Sequence, residues 1–311
     1  MAHLTNDLQA FECVWPVAIW RLAECMLYDL DRVLRAHGIR VFMVYGTFLG
    51  AVRHQGVIPW DDDIDVGIFA EDESRLLQVR DDLLTYGYGL KRHQIQWDDS
   101  TLEYYKVWIA SRPSRTSYPY SWPFVDIWVF RPTGRLNEIT DGVLCCQYSD
   151  ILPLKPYPFG NLSLAGPGSD ALLVKAYGED YLETCVSSYW NHREEKRSTP
   201  VSKSRAEVEF HEYFVQVHTH DSINHRSKPT QNTIYELKRS TSGDRLISPT
   251  GHAYHITSTA AALWHLSDGR RTIQGILERL SDCLSMPVVD LVEDVYSSVQ
   301  ALHAHGVMHI S

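Results

Sequence analysis

From about Cys13 to His37 apolar residues recur at helical spacing (Val17, Ile19, Trp20, Leu22, Leu27, Leu30, Val33, Leu34), and the pattern stops at Gly38, a natural C-cap. Arg40 to Tyr45 reads as a short buried strand entering Gly46-Thr47. A second helical stretch follows until Ile58-Pro59-Trp60 breaks it. Alternation from Asp63 to Phe69 predicts a strand, with Ile64, Val66 and Ile68 on the core face and Asp63 and Asp65 together on the other. Ser74 to Tyr86 reads as a helix. Tyr104–Ala110 and Phe124–Phe130, rich in aromatic and β-branched residues, read as further strands. Near the C-terminus, Thr233–Lys238, Leu246–Ile247 and Gly251–His255 predict short strands, and Ser258–Ser267, Thr272–Leu284 and Val288–His305 predict helices. From about Glu194 to Gln231 Lys, Arg, Ser, Thr, His and Pro dominate, and periodicity fades after Val217. The expected division is a domain over 1–195, a linker over 196–231 with a helix around Arg205–Phe214, and a domain over 232–311.

A length of 311 residues suits two domains, and 44% hydrophobic with 22% charged residues is a globular composition. There is no apolar run of about 18 residues to span a bilayer. The N-terminal MAHLTNDLQA lacks the basic and apolar regions of a secretory signal, so a cytoplasmic protein is expected. The six cysteines show no metal-ligand spacing, and Cys145 and Cys146 are adjacent, which fits reduced thiols. A formal charge of −10 argues against nucleic acid as the main partner, because phosphate tracking needs clustered Lys and Arg.

The densest chemistry lies at Ile58-Pro-Trp-Asp-Asp-Asp-Ile-Asp-Val66. Asp63 and Asp65 on one strand face would repel each other unless a cation sat between them, and oxygen ligands at that spacing suit Mg²⁺ or Mn²⁺. A solvated acidic turn is the bland alternative. An EF-hand is excluded, since counting from Asp61 the required Gly and Glu are Val66 and Asp72. Asp126 sits within the apolar run Phe124–Phe130, where an ionised Asp is costly unless something binds it.

The run from Tyr45 to Val66, YGTFLGAVRHQGVIPWDDDIDV, closely resembles the signature of the LicD/fukutin phosphotransferase family. Leu152–Phe159 (LPLKPYPF) and Lys175–Tyr181 (KAYGEDY) resemble its second block, so the likeness covers roughly residues 15 to 195. The resemblance implies an α/β (α+β) nucleotidyltransferase-like fold with a mixed sheet flanked by helices. It also implies a metal held by Asp63 and Asp65, with Asp126 as third ligand or as base on the acceptor hydroxyl. Gly46 and Thr47 would lie against the donor phosphates. Arg53 and Lys106 are candidate phosphate clamps, against the plainer readings of a helix-surface Arg and a structural Lys. The donor would be a nucleotide-activated, CDP-linked alcohol, with nucleotidyl transfer from an NTP as the alternative, and the reaction an in-line displacement at phosphorus.

In the last 80 residues the run Ile256–Gly269 (ITSTAAALWHLSDG), then Arg271–Leu280 (RTIQGILERL), then Val288–His305 closing on Gly306-Val-Met-His-Ile310, resembles the PqqD family. That likeness implies a small winged-helix-like fold at 232–311 that captures the leader segment of a ribosomally made precursor peptide by strand addition. Acidic residues outnumber basic ones over this stretch, which disfavours a DNA-binding winged helix. His211, His218, His220 and His225 crowd the segment before it, but no Cys/His spacing supports zinc there. The combined expectation is a transferase that modifies a hydroxyl of a tethered peptide, with a glycan or lipid transferase as the alternative.

Overall fold

The computed structural model describes residues 8–97, 100–114, 118–209, 223, 226–231, 235–238, 243–249, 253–305 and 307–311. The chain divides into two units, Met1–His220 and Asp221–Ser311.

The first unit is built on a mixed sheet. Its strands are β1 (Phe42–Met43), β2 (Asp65–Phe69), β3 (Tyr88–Trp97), β4 (Ser100–Ile109), β5 (Phe124–Pro132), β6 (Glu138–Thr140) and β7 (Cys145–Gln147). The main path runs β1-β2-β5-β4-β3, with β6 on β5 and β7 on β6. Only β2 and β5 pair in parallel. All five residues of β2 are buried, so this strand does not show the half-exposed face that its alternation predicted. It is central and packed on both sides, where burial no longer follows the two-residue period. Phe42, Val44, Phe69, Phe130, Ile139, Cys146, Ile151 and Leu172 form one core cluster against it.

The helix Val17–Ala36 matches its periodicity. It buries Leu22, Met26, Leu27, Leu30, Val33 and Leu34, and Gly38 (φ +68°) takes the left-handed position just beyond its end. A second helix, Tyr45–His54, leads from β1 toward the acidic segment. The expected helix over Ser74–Tyr86 is two short ones, Glu73–Gln78 and Arg80–Thr85. A hairpin, β8 (Lys155–Phe159) with β9 (Leu162–Gly166), and the helix Ala171–Tyr177 follow.

Residues 196–209 are not linker. β10 (Thr184–Val186) pairs with β13 (Ser202–Ser204), and between them β11 (Trp190–Asn191) and β12 (Lys196–Arg197) make a tight hairpin. These strands are two or three residues long and largely exposed, so they carry no apolar alternation, and their polarity imitated a linker. The helix expected around Arg205–Phe214 is present as Arg205–Glu209, and the remainder lies outside the described residues. His211, His218, His220 and His225 also lie outside them.

The second unit opens earlier than position 232, with β14 (Pro229–Gln231). A three-stranded antiparallel sheet follows, β15 (Glu236–Lys238), β16 (Asp244–Ile247) and β17 (Ala253–Ile256), with β16 in the middle. Then come the helices Ser258–Leu266, Ile273–Leu284 and Val288–Ala304, within a residue of their expected ends. Thr257 and Thr272 cap the first two, each hydroxyl accepting a backbone N–H, from Ala260 and Gly275. The core is apolar: Leu263, Trp264, Ile276, Leu277, Leu280, Leu291, Val295, Val299 and Leu302 are buried. The final strand, β18 (Met308–Ile310), returns to pair with β14 and closes the unit on its own first strand.

Candidate active site

The sheet register sets the site. Asp65 on β2 and Asp126 on β5 are direct neighbours in the parallel pair, and Lys106 on β4 lies opposite Asp126. Lys106 is 2% exposed. Its ammonium is 3.0 Å from Oδ2 of Asp126, as a hydrogen bond, and 2.8 Å from Oδ1. The same ammonium sits 3.2 Å from the Phe124 ring centre and 4.6 Å from that of Tyr120. Lys106 is therefore committed to Asp126 beneath the sheet surface, and the phosphate contact expected of it would compete with that pair. Burial pushes the Asp126 carboxyl up, against the pull of Lys106.

Asp65 is held on two sides. Its backbone N–H donates to the Thr47 hydroxyl at 2.7 Å, and its Oδ1 accepts from the Trp128 indole at 2.8 Å. Burial raises its pKa well above the carboxylate range, and Asp63 and Asp126 raise it further. Asp63 precedes the strand instead of belonging to it, so the two acids do not share a strand face as expected. Trp15 and Trp122, packed at 5.0 Å, explain the irregular backbone: their indoles donate to the carbonyls of Asp61 and Asp62, each at 2.6 Å.

Asp61, which the spacing argument left aside, belongs to the cluster. Burial raises its carboxyl strongly, followed by repulsion from Asp63, Asp65 and Asp62. Gly46 is needed here, since a Cβ on it would lie 2.2 Å from Oδ2 of Asp61. The space left by its missing side chain is filled by that carboxylate. Just before it, Tyr45 holds φ 47°, a left-handed conformation that non-glycine residues seldom adopt, and its hydroxyl donates to Asp141.

Two further groups come from the β11–β12 hairpin. His192 Nε2 is 3.0 Å from Oδ2 of Asp63. Burial alone would lower the imidazole pKa, but Asp63 outweighs it and carries it to about 9. Asp63 in turn is held low by His192 despite its burial. The Arg193 guanidinium donates to Asp62 at 3.1 Å. No motif spacing pointed to this hairpin.

Arg53 goes elsewhere. It is 7% exposed, donates to the backbone carbonyls of Thr184 (2.9 Å) and Tyr181 (3.2 Å), and lies against the Trp60 ring. These contacts make it a tie between the signature helix and residues 181–184, in place of the expected phosphate clamp. Its position inside the signature made the two roles indistinguishable by sequence.

The site thus gathers four carboxyl groups, Asp61, Asp63, Asp65 and Asp126, with Lys106 against Asp126 and His192 against Asp63. Three of the four, Asp61, Asp65 and Asp126, are disfavoured as anions by burial and by neighbouring carboxylates. Clustered, buried carboxylates are oxygen donors of the kind that suits a hard divalent cation. Among the described residues, no three or more His, Cys, Asp or Glu side chains converge as a ready-made metal cage. No helix among them is long and apolar enough to cross a membrane.

Comparison with known proteins finds two family matches. Residues 38–169 match the LicD/FKTN/FKRP nucleotidyltransferase domain, and residues 245–308 match coenzyme PQQ synthesis protein D (PqqD). An uncharacterized protein of Rickettsia typhi is 31% identical over 149 residues, 46% of this chain and 40% of that protein. Human ribitol 5-phosphate transferase FKRP is 28% identical over 162 residues, 50% of this chain and 30% of that one. The lipopolysaccharide cholinephosphotransferase LicD of Haemophilus influenzae is 53% identical over 34 residues, 11% and 13% of the two chains. The chain spans less than half the length of these curated relatives. Within it, a segment that matches the LicD family precedes one that matches PqqD.

Proposed function

We propose that the first unit is a metal-dependent transferase of a phosphorus-containing group and that the second captures its peptide substrate. The observation that carries the first half is the register of Asp65 beside Asp126, with Asp61 and Asp63 packed against them. So many carboxylates facing one another are costly without a counter-charge. Asp63 and Asp65 would hold a Mg²⁺ or Mn²⁺ ion, with Asp61 beside them. Such an ion would keep open positions for donor phosphate oxygens and neutralise charge there when bound.

The protein's own groups then position and accept. Thr47 and Trp128 fix Asp65, and His192 fixes one oxygen of Asp63. In the proposed displacement, a hydroxyl oxygen of the acceptor bonds to phosphorus and the bond from phosphorus to the leaving nucleotide oxygen breaks, that oxygen keeping the electron pair. The hydroxyl proton passes to a carboxylate of the cluster, and Asp126, held by Lys106, is the group we assign. A CDP-linked alcohol as donor is supported by the relatives named for ribitol 5-phosphate and cholinephosphate transfer.

For the second unit, the match to PqqD and a β15–β16–β17 sheet whose outer strands pair with no further strand among the described residues support capture of a leader peptide as an added strand on a winged-helix-like scaffold. We place the reaction in the cytoplasm, on a hydroxyl of a ribosomally made precursor peptide. The test is incubation of the protein with Mg²⁺, a CDP-alcohol and a precursor peptide. CMP release with a phospho-alcohol mass on the peptide is the expected result. Pyrophosphate release from an NTP would replace the donor assignment with nucleotidyl transfer. Modification of a glycan or lipid in preference to peptide, which the lipopolysaccharide-acting relative favours, would remove the peptide from the proposal.

A further inference from the structure

Asp62, the middle acid of the run, has no place in the metal assignment, yet it is 2% exposed. A buried carboxylate is stable only if donors reach it. Every donor that the described residues show on it comes from the tip of the β11–β12 hairpin. These are the backbone N–H of His192 on Oδ1 at 3.3 Å, the backbone N–H of Arg193 on Oδ2 at 3.3 Å, and Arg193 Nε on Oδ2 at 3.1 Å. The hairpin is tied internally. Trp190 pairs with Arg197 and Asn191 with Lys196, the Ser198 N–H returns to the Tyr189 carbonyl at 2.8 Å, and the Trp190 indole donates to Glu195. Its tip packs inward, with the His192 ring edge-on to Phe124 at 5.6 Å.

We infer that Asp62 and Arg193 form a latch that seats this hairpin on the acidic segment and thereby fixes the His192 Nε2–H on one oxygen of Asp63. Asp62, Arg193 and His192 are positioning residues of the transfer site, and the last two lie beyond the segment shared with the LicD-family model. A carboxylate with one oxygen held by an imidazole presents the other in a single direction. Partners of this kind change affinity or rate by about 10- to 100-fold when removed. The middle acid of the run thus serves the geometry of its neighbour and not the ion itself.

The latch and its effect on transfer are tested separately, because the second rests on the proposed function. Hydrogen exchange of the full-length protein tests the latch alone. Asp62→Ala and Arg193→Ala should each raise exchange of the His192 and Arg193 amides by about tenfold, while amides of β2 and β5 stay protected. Asp62→Asn, which keeps an acceptor oxygen, should restore part of the protection. Unchanged exchange at the tip in both alanine variants overturns the latch, whatever the protein catalyses. If the parent transfers a phosphorus-containing group, each alanine variant should lower kcat by about tenfold with donor KM within about threefold. The double variant should lose no more than the worse single one, since the two changes remove one device. Multiplicative losses, or a fall in melting temperature with kcat intact, overturn the positioning role. A parent that turns over no such donor refutes the transferase reading and leaves the exchange result to decide the latch.

Discussion

In the first unit Asp62, Asp65, Asp72, Lys106, Asp126 and Arg53 are all buried, whereas in the second the buried polar residues among those described are Ser227, Ser248, Ser267 and Gln274, none of them charged. Both units have apolar cores, yet only one confines charge within it. Buried charges lower stability unless they are paired, so the carboxylates gathered at β2 and β5 are the candidates for a functional role. The second unit has capped helices and a neutral core, and leaves backbone hydrogen-bonding groups at the edges of a small sheet. One unit holds charge in its interior, and the other is the one to which the proposal assigns strand capture.

The largest effect should come from removing a charge that the first unit confines. Asp63→Asn and Asp65→Asn should each lower turnover by at least about 100-fold, the scale of losing a major electrostatic stabiliser. Without metal, Asp65→Asn should not destabilise the fold. The Asn oxygen still accepts from Trp128, and repulsion from Asp63 and Asp126 disappears. Because the Asp65 pKa is raised in the folded state, the parent loses stability as the pH rises above the ordinary carboxylate range. The variant should therefore melt higher than the parent at neutral pH, and the gap should close in acid, where Asp65 is protonated in both states. Melting curves across pH in EDTA, beside turnover in Mg²⁺, check both halves. A variant that is active to within a few-fold refutes the assignment.

The second unit should respond in affinity instead. Deleting residues 221–311 should raise the KM for a precursor peptide by about 100-fold, the effect of losing a tether, with kcat at saturating peptide retained. Proline substitutions along the leader segment that pairs with the sheet edge should abolish binding, because proline cannot donate to the ladder. Binding of labelled leader to full-length and truncated protein, with steady-state kinetics on each, decides this. Unchanged KM after truncation would end the peptide reading and bring the glycan alternative forward.

Arg53 sharpens the comparison from inside the first unit, since a buried charge there need not be catalytic. Arg53→Ala leaves the Tyr181 and Thr184 carbonyls without their donor and should cost about 2 kcal/mol of stability. Lys should restore part of this, because both carbonyls are reached from one guanidinium nitrogen, Nη1, and an ammonium can also donate to two acceptors. Donor KM should stay within a few-fold of the parent. A large rise in donor KM with unchanged denaturation midpoint would return Arg53 to the phosphate-clamp role.

These outcomes bear on how much the chain reveals before it is folded. The helix Val17–Ala36 and the three helices of the second unit were legible because each buries a stripe that repeats along it. Asp65 and Asp126 were legible because a charge in an apolar strand needs a reason. The hairpin carrying His192 and Arg193 was not, since its strands are two residues long and polar, and its contacts span about 130 residues of chain. The roles of Arg53 and Lys106 were unreadable for another reason. Residue type tells that a cation is present, and only packing tells which acceptor it has.

The smallest expected effects come from one chemical change made in both units. Thr47 and Thr272 each accept a backbone N–H through the hydroxyl, from Asp65 at 2.7 Å and from Gly275 at 3.2 Å. Thr47→Val keeps the shape and leaves the Asp65 N–H without its acceptor, and Thr272→Ala removes a helix cap. Both should lower stability by about 1 kcal/mol. If stability were the only consequence, the two variants would behave alike at temperatures where both are folded. The comparison between the units predicts otherwise. Thr47 holds the residue that places a carboxylate beside Asp126, so a small shift of the β2 main chain there should lower turnover by about tenfold, as a misplaced catalytic group does. Thr272 holds a helix start in a unit with no buried charge, and its loss should leave turnover and peptide affinity within about twofold. Chemical denaturation and kinetics on both variants at one temperature measure the four quantities. Equal turnover in Thr47→Val and Thr272→Ala would mean that the strand bearing Asp65 tolerates movement, and the distinction drawn between the two units would then rest on charge alone.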